Sequence, residues 1–304
     1  MTVVAVSGAG GFVGHALCAE LVSRGNRVVP ISRTLLASNE LAASLEGVDS
    51  FVHLAARAHV LKEQAADAAA EFYRANVGLT EAAAVAAAHM GVRRFVFVSS
   101  AGVLGASSPP GGFHEDSPPQ PHDAYTHSKL LAEQWLQKQR PDGLELAIVR
   151  PPLVFGPGAR GNLMRLMRLA LRGWSLPIGA LTEPRSVVGL LNLVDLICLL
   201  ATTVQPVRGT PMLVADRELT SVSQLYASAA LHAGRRPWLA PVPVVVIKSL
   251  LRATGRTADI PRLLAPFVLV PRFAQSAFAW TPPFPLDREV RRTVLAELQL
   301  TNNS

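Results

Sequence analysis

Cysteine is scarce: the 304 residues hold two, Cys18 and Cys198, both in apolar helical patterns and without a partner motif. That argues against a disulfide scaffold or a thiolate metal site, and both read as small buried hydrophobes. Charge is scarce too, with 17% charged against 49% hydrophobic residues, the balance of an ordered chain able to bury a large core. No apolar run reaches the roughly 18 residues of a membrane span. The nearest, Pro241-Val-Pro-Val-Val-Val-Ile247, is closed by Lys248; it reads as a helix of a small domain, with an interfacial anchor as the other reading. No charged leader followed by an apolar stretch opens the chain, so the cytoplasm is the expected compartment. His53, His114, His122 and His127 show no metal-site spacing and read as packing, loop or surface residues, so no metal is expected. The net charge of +7 is spread along the chain apart from pairs such as Arg93-Arg94, Arg235-Arg236 and Arg291-Arg292. That favours small phosphate-bearing ligands over nucleic acid.

What is present begins with Thr2-Val-Val-Ala-Val-Ser7, a β-branched run that breaks into Gly8-Ala-Gly-Gly-Phe-Val-Gly14 and continues as a helical pattern to Arg24-Gly25. A strand, a glycine turn and a helix in this order form the phosphate cradle of a dinucleotide fold. Gly8, Gly11 and Gly14 stand where the turn must be tight, where backbone approaches pyrophosphate and where helix packs on strand. Strands near 2–7, 27–32, 50–54, 94–99 and 145–150 alternate with helices, which predicts an α/β, doubly wound parallel sheet of the Rossmann type. After residue 155 proline and glycine become frequent, as in a smaller C-terminal substrate domain. The expected division is 1–155 with 186–215 for the dinucleotide, and 156–185 with 216–304 for the substrate. Residues 62–90 and 123–140 read as two long helices, the second carrying Tyr125 and Lys129 four residues apart and so on one face. An ammonium beside a phenol favours the phenolate, so the spacing predicts that Lys129 brings Tyr125 toward working range as an acid or base.

These segments, with Val52-His-Leu-Ala-Ala56, Arg74-Ala-Asn-Val-Gly78, Phe95-Val-Phe-Val-Ser-Ser-Ala-Gly-Val-Leu-Gly105, Arg150-Pro-Pro-Leu-Val-Phe-Gly-Pro-Gly158 and Arg185-Ser-Val-Val-Gly-Leu-Leu-Asn-Leu-Val-Asp195, occur in an order that resembles the extended short-chain dehydrogenase/reductases. This is the NAD-dependent epimerase/dehydratase family, and the pattern looks most like bacterial UDP-glucose 4-epimerase-like proteins and UDP-sugar 4-keto reductases. The resemblance implies catalytic roles for Ser100, Tyr125 and Lys129, with Asn76 bracing the lysine through a water or the helix backbone. It implies cofactor contacts from Gly8, Gly11, Phe12, Val13, Gly14, Ser32, Arg33, Leu54, Ala55, Ala56, Val98, Ser99, Pro151 and Leu153, besides Tyr125 and Lys129. For a UDP-sugar it implies Ser100, Asn162, Leu163 and Arg185, the last on the diphosphate. It also implies a homodimer through helices 62–90 and 123–140.

Two departures narrow the reading. NAD-binding relatives keep an acidic residue at the end of the second strand for the ribose hydroxyls. Here Val28-Val-Pro-Ile-Ser-Arg33 has none, so Ser32 and Arg33 are expected to hold a 2′-phosphate, and NADP(H) is favoured with NAD(H) possible. Only some seven residues separate Arg33 from the helix expected at Leu41, so the family's third strand reads as shortened or absent. Dehydratase relatives carry an Asp-Glu pair after the catalytic Ser/Thr, and Ala101 and Gly102 stand there instead. The expected activity is therefore 4-keto reduction or 4-epimerisation of a UDP-hexose, in the supply of surface polysaccharide precursors. The same fold also serves non-catalytic dinucleotide sensors or assembly proteins, against which Tyr125 and Lys129 speak.

Overall fold

Strands built of β-branched residues without polar alternation belong inside a parallel sheet, where both faces are covered. The computed structural model describes residues 1–57, 68–253 and 264–302. Its strands are β1 (Val3–Ser7), β2 (Arg27–Ile31), β3 (Ser50–His53), β4 (Arg94–Val98), β5 (Glu145–Arg150), β6 (Leu153–Phe155), β7 (Val187–Gly189) and β8 (Arg208–Leu213). The helices are α1 (Phe12–Ser23), α2 (Arg33–Leu36), α3 (Ala68–Tyr73), α4 (Leu79–His89), α5 (Ala124–Gln139), α6 (Asn162–Leu171), α7 (Leu190–Thr202), α8 (Val222–His232), α9 (Val244–Ala253), α10 (Phe273–Phe278) and α11 (Leu286–Asn302).

Six strands form one parallel sheet in the order β2-β1-β3-β4-β5-β8, and β6 with β7 form a separate parallel pair. Register aligns the carboxyl ends: Ser7 pairs with Ile31 and with His53, and His53 pairs with Phe97. Side chains alternate across the sheet. Val4, Val6, Val52, Val96 and Val149 pack against Leu17 and Leu21 of α1 and Leu193 and Ile197 of α7. On the other face Ala5, Phe51, Phe95, Phe97 and Ile148 meet Ala83 and Ala87 of α4 and Ala132 and Leu136 of α5. The expected shortening after the second strand is present, because β2 is the sheet's edge. Pro30 lies within it, a residue that an edge strand tolerates and a strand paired on both sides does not.

A third apolar cluster joins α6, α8 and α11 through Met164, Met167, Tyr226, Ala229, Val290 and Val294. It is tied to α7 by carboxylates at that helix's N-terminus, where the helix dipole favours negative charge. Asp216 accepts from Gly189 N at 3.0 Å and Asn192 Nδ2 at 2.7 Å, and Glu289 of α11 accepts from Leu191 N at 3.1 Å.

The stretch 62–90, whose residues 62–67 lie outside the described residues, is helical from Ala68 to His89, with α3 and α4 joined through a π-helical turn, Arg74–Gly78, centred on Asn76. The second expected helix is continuous from Ala124 to Gln139 and begins with a capping box between Asp123 and Thr126.

Candidate active site

The glycine turn leaves β1 at the carboxyl edge of the sheet, between β2 and β3, where strand order reverses and ligands bind. Gly8 has φ +74°, and a Cβ on it would lie 3.0 Å from Ala55 N. The turn is therefore pressed against Leu54-Ala55, two of the expected cofactor contacts. Gly11 donates to Gly8 O at 2.9 Å and caps α1, whose first residues Phe12 and Val13 are half-buried. At Gly14 a Cβ would stand 2.1 Å from Gly8 O, so only glycine lets helix and turn approach this closely. Gly14→Ala is expected to destabilise the fold by about 1–3 kcal/mol through overpacking. It should also weaken binding of a nicotinamide dinucleotide, as thermal unfolding with and without added cofactor would measure.

Since Ser7 and Ile31 are paired, Ser32 and Arg33 leave β2 beside this turn. Both are exposed. Ser32 is partly engaged: its Oγ accepts from Leu35 N at 3.1 Å and caps α2.

The catalytic candidates converge from β4 and α5. Lys129 is buried, donates from Nζ to Val98 O at 2.8 Å and lies 4.6 Å above the Phe97 ring. Burial pushes it down to about 8, against the pull of the Glu133 carboxylate. Ser100 follows β4 and caps the short turn Ala101–Leu104, its Oγ accepting from Gly102 N at 3.1 Å, and Ala101 N donates to Pro151 O at 2.8 Å. This gathers Val98, Ser99, Ser100 and Pro151. A Cβ on Gly102 would meet Thr126 Cγ2 at 2.8 Å and Ser100 Oγ at 3.3 Å, so Ser100 faces the first turn of α5, which carries Tyr125.

The expected lowering of the Tyr125 phenol is corrected. Burial, and then the Asp123 charge, push it up to about 12, while the Lys129 ammonium is hydrogen-bonded to Val98 O. Asn76 reaches the backbone of α5 through one side chain: it donates from Nδ2 to Ser128 Oγ at 2.9 Å, and Ser128 Oγ donates to Tyr125 O at 2.7 Å. Its Oδ1 accepts from Arg57 N at 2.7 Å.

Sequence reasoning missed the rest of this chain of hydrogen bonds. Thr80 Oγ1 donates to Asn76 O at 2.8 Å and meets His53 Nε2 at 3.2 Å, and His53 Nδ1 meets Ser7 Oγ at 2.9 Å. Burial, and then the Lys129 charge, push His53 down to about 3, so the ring is neutral and can accept at one nitrogen while donating at the other. The buried links run from the end of β1 to the backbone of Tyr125. A signal was available: Ser7 and His53 end adjacent strands, and Thr80 follows Asn76 at i+4.

The remaining expected contacts take these places. Asn162 is exposed at the start of α6, while Leu163 packs half-buried on the α6, α8 and α11 cluster. Leu153 is exposed on β6 and Ala56 is half-buried after β3. Arg185 is half-buried, exchanges backbone hydrogen bonds with Thr220, and its Nη2 donates to Ala265 O at 2.7 Å. His114 is half-buried, and His122 and His127 are exposed, as expected. Among the described residues no cluster of metal-ligating side chains occurs.

A dinucleotide suits these residues. The glycine cradle has the required close approach, and Ser99 Oγ is buried without a hydrogen-bond partner, a cost of about 1–3 kcal/mol that a ligand atom beside Val98 would relieve.

Residues 4–212 match the model of the NAD dependent epimerase/dehydratase family. Over 271 residues the chain is 32% identical to UDP-glucose 4-epimerase of Vibrio cholerae, covering 88% of this chain and 82% of that protein. The solved structure of MoeE5 in complex with UDP-glucose and NAD superposes with a TM-score of 0.79 at 26% identity, covering 98% of this chain and 99% of that one. A shorter match, 30% over 163 residues, is to N-acetyl-alpha-D-glucosaminyl-diphospho-ditrans,octacis-undecaprenol 4-epimerase of Escherichia coli O157:H7, covering 52% of this chain and 46% of that protein. With the parallel sheet and the glycine turn in place, the chain belongs to the NAD dependent epimerase/dehydratase family.

Proposed function

We propose that the chain is an enzyme acting at C4 of a UDP-linked hexose, with NADP(H) favoured and reduction of a 4-keto sugar as its net reaction. The observation that carries this is the exposed Arg33 at the glycine turn, with no carboxylate at the end of β2, beside a site that has Ala101 and Gly102 where elimination needs carboxylates. At about 12 the phenol keeps its proton through the neutral range and is a ready donor to a C4 oxygen. The bound nicotinamide would supply the hydride to C4. Ser100 would hydrogen-bond the C4 oxygen, and the Lys129 ammonium would hold the nicotinamide ribose and offset the charge left on Tyr125. Elimination chemistry has no room, since Ala101 is fully buried and a Cβ on Gly102 already crowds Thr126.

Arg33 supports NADP(H), being an exposed guanidinium beside the glycine turn with no carboxylate near it on β2. Arg33→Asp should reverse or flatten the preference for NADPH over NADH; equal binding of the two by the native chain would refute the phosphate reading. Epimerisation is the second reading, favoured by the Vibrio cholerae relative that spans most of the chain. Incubating the protein with UDP-hexoses and with UDP-4-keto-6-deoxy sugars decides: NADPH consumed by the keto sugar means reduction, interconversion without added cofactor means epimerisation, and neither leaves a non-catalytic role.

The undecaprenol-linked relative supports a place in surface polysaccharide precursor synthesis. We further propose the substrate-binding part as 156–185 with 216–304, carrying Asn162, Leu163 and Arg185 toward the UDP-sugar. The homodimer would form across α3, α4 and α5, where Tyr73, Val85 and Leu131 are exposed and where Tyr73, Leu131 and Trp135 line a shallow cavity of about 250 Å³.

A further inference from the structure

The side of the molecule formed by α6, α8 and the segment leading into α9 is rich in arginine and free of acidic residues along two stretches. Residues 159–182 contain Arg160, Arg165, Arg168 and Arg172 with no Asp or Glu, and 219–253 contain Arg235, Arg236, Lys248 and Arg252, again with no acid. The structure joins the two stretches. Leu176 and Leu239 form a β-bridge, Trp238 N donates to Ser175 Oγ at 3.2 Å, and Arg235 packs along Gly173, where its Cδ is 3.4 Å from a built Cβ. Trp174 and Trp238 are thereby held on one patch, 56% and 70% exposed, with Arg172, Arg235 and Arg236 exposed around them. The chain then enters α9, where Val245 and Val246 are also exposed. The carboxylates of α11 that reach this region are engaged, Glu297 with Arg168 at 2.7 Å and Asp287 with His232 at 2.7 Å.

Two exposed indoles among uncompensated arginines form an amphipathic pattern that water alone does not favour. Indole prefers the boundary between headgroup and acyl chain, and arginines next to it are drawn by anionic headgroups. We propose that this patch seats the enzyme on an anionic phospholipid surface, with Trp174, Trp238 and the valines of α9 inserted shallowly and Arg172, Arg235 and Arg236 on the phosphates. Among the described residues no helix is long and apolar enough to cross a membrane, so the attachment is peripheral and reversible. One short apolar element gives weak binding by itself, and the basic residues provide the second contribution that stable attachment needs.

The test is co-sedimentation of the full chain with vesicles of phosphatidylcholine alone and of phosphatidylcholine mixed with phosphatidylglycerol. Binding is expected only to the anionic vesicles and should weaken as salt is added. Arg235→Glu/Arg236→Glu should lower partitioning at least about tenfold, and Trp174→Ser/Trp238→Ser should abolish it, both with native thermal midpoints and native turnover of UDP-sugar. If either variant folds poorly, quenching of the native chain's tryptophan emission by brominated phosphatidylglycerol answers the same question. Equal binding to both vesicle types, no binding to either, or retention by the tryptophan variant would overturn the proposal. So would a polyanion such as duplex RNA binding with no dependence on Trp174 and Trp238, or a loss of dimer mass in the tryptophan variant, which would assign the patch to another occupant.

Discussion

Tyr125→Phe is expected to lower kcat by about 10²- to 10⁴-fold, the range that a positioned proton donor contributes, while nucleotide affinity stays within a few-fold. The ring remains and packs as before; only the hydroxyl is lost. The pH profile gives a second reading of the same group. With the phenol at about 12 and Lys129 at about 8, turnover in the reductive direction should hold up to about pH 8. Above it Lys129 gives up its proton, so the charge that holds the ribose and the developing phenolate is lost, and activity should fall. The stability consequence has the opposite sign. A buried lysine depressed below its ordinary value makes the unfolded chain bind the extra proton between the folded and unfolded pKa values, so Lys129 is a burden on folding that fades as pH rises above about 8. Lys129→Met should therefore abolish turnover without lowering the thermal midpoint. Turnover that survives Tyr125→Phe would remove the catalytic assignment altogether.

Much of this was legible from residues that chain geometry constrains locally. Gly8, Gly11 and Gly14 announced the turn because a Cβ there collides with backbone, and the β-branched runs announced buried parallel strands. The helical pattern over 123–140 announced α5. What stayed hidden depends on direction and on distant partners. Spacing puts Tyr125 and Lys129 on one face but does not say how deeply the phenol is buried or that the ammonium is bonded to Val98 O. The π-helical turn at Arg74–Gly78 was invisible because an alanine-rich helical pattern tolerates an extra residue without a change in composition. That turn carries Asn76, whose bond to α5 runs through Ser128, a residue the sequence did not mark out. The carboxylates on α7, Asp216 and Glu289, come from separate parts of the chain, and periodicity in one segment says nothing of another. Arg33 shows the opposite case, since a missing acid at the end of β2 is informative by itself.

The buried pair of Glu133 and Arg150 lies next to the site and makes the largest stability prediction. Arg150 Nη2 meets Glu133 Oε2 at 2.6 Å, with Glu133 fully buried and Arg150 4% exposed. Such a pair adds little net stability when complete, because desolvation offsets the attraction, but removal of one member strands the other in a low-dielectric interior. Arg150→Met alone is expected to cost about 3–5 kcal/mol in urea unfolding, and Glu133→Leu alone a similar amount, whereas Arg150→Met/Glu133→Leu should recover most of that loss. Additive losses in the double variant would mean that the pair acts through packing and not charge. The double variant has a further consequence for the site. Glu133 is the carboxylate that holds Lys129 up against burial, so without it Lys129 should lose its proton at lower pH. The alkaline fall in turnover should then begin below about pH 8 in a protein of near-native stability, which separates the charge on Lys129 from the stability of the fold around it.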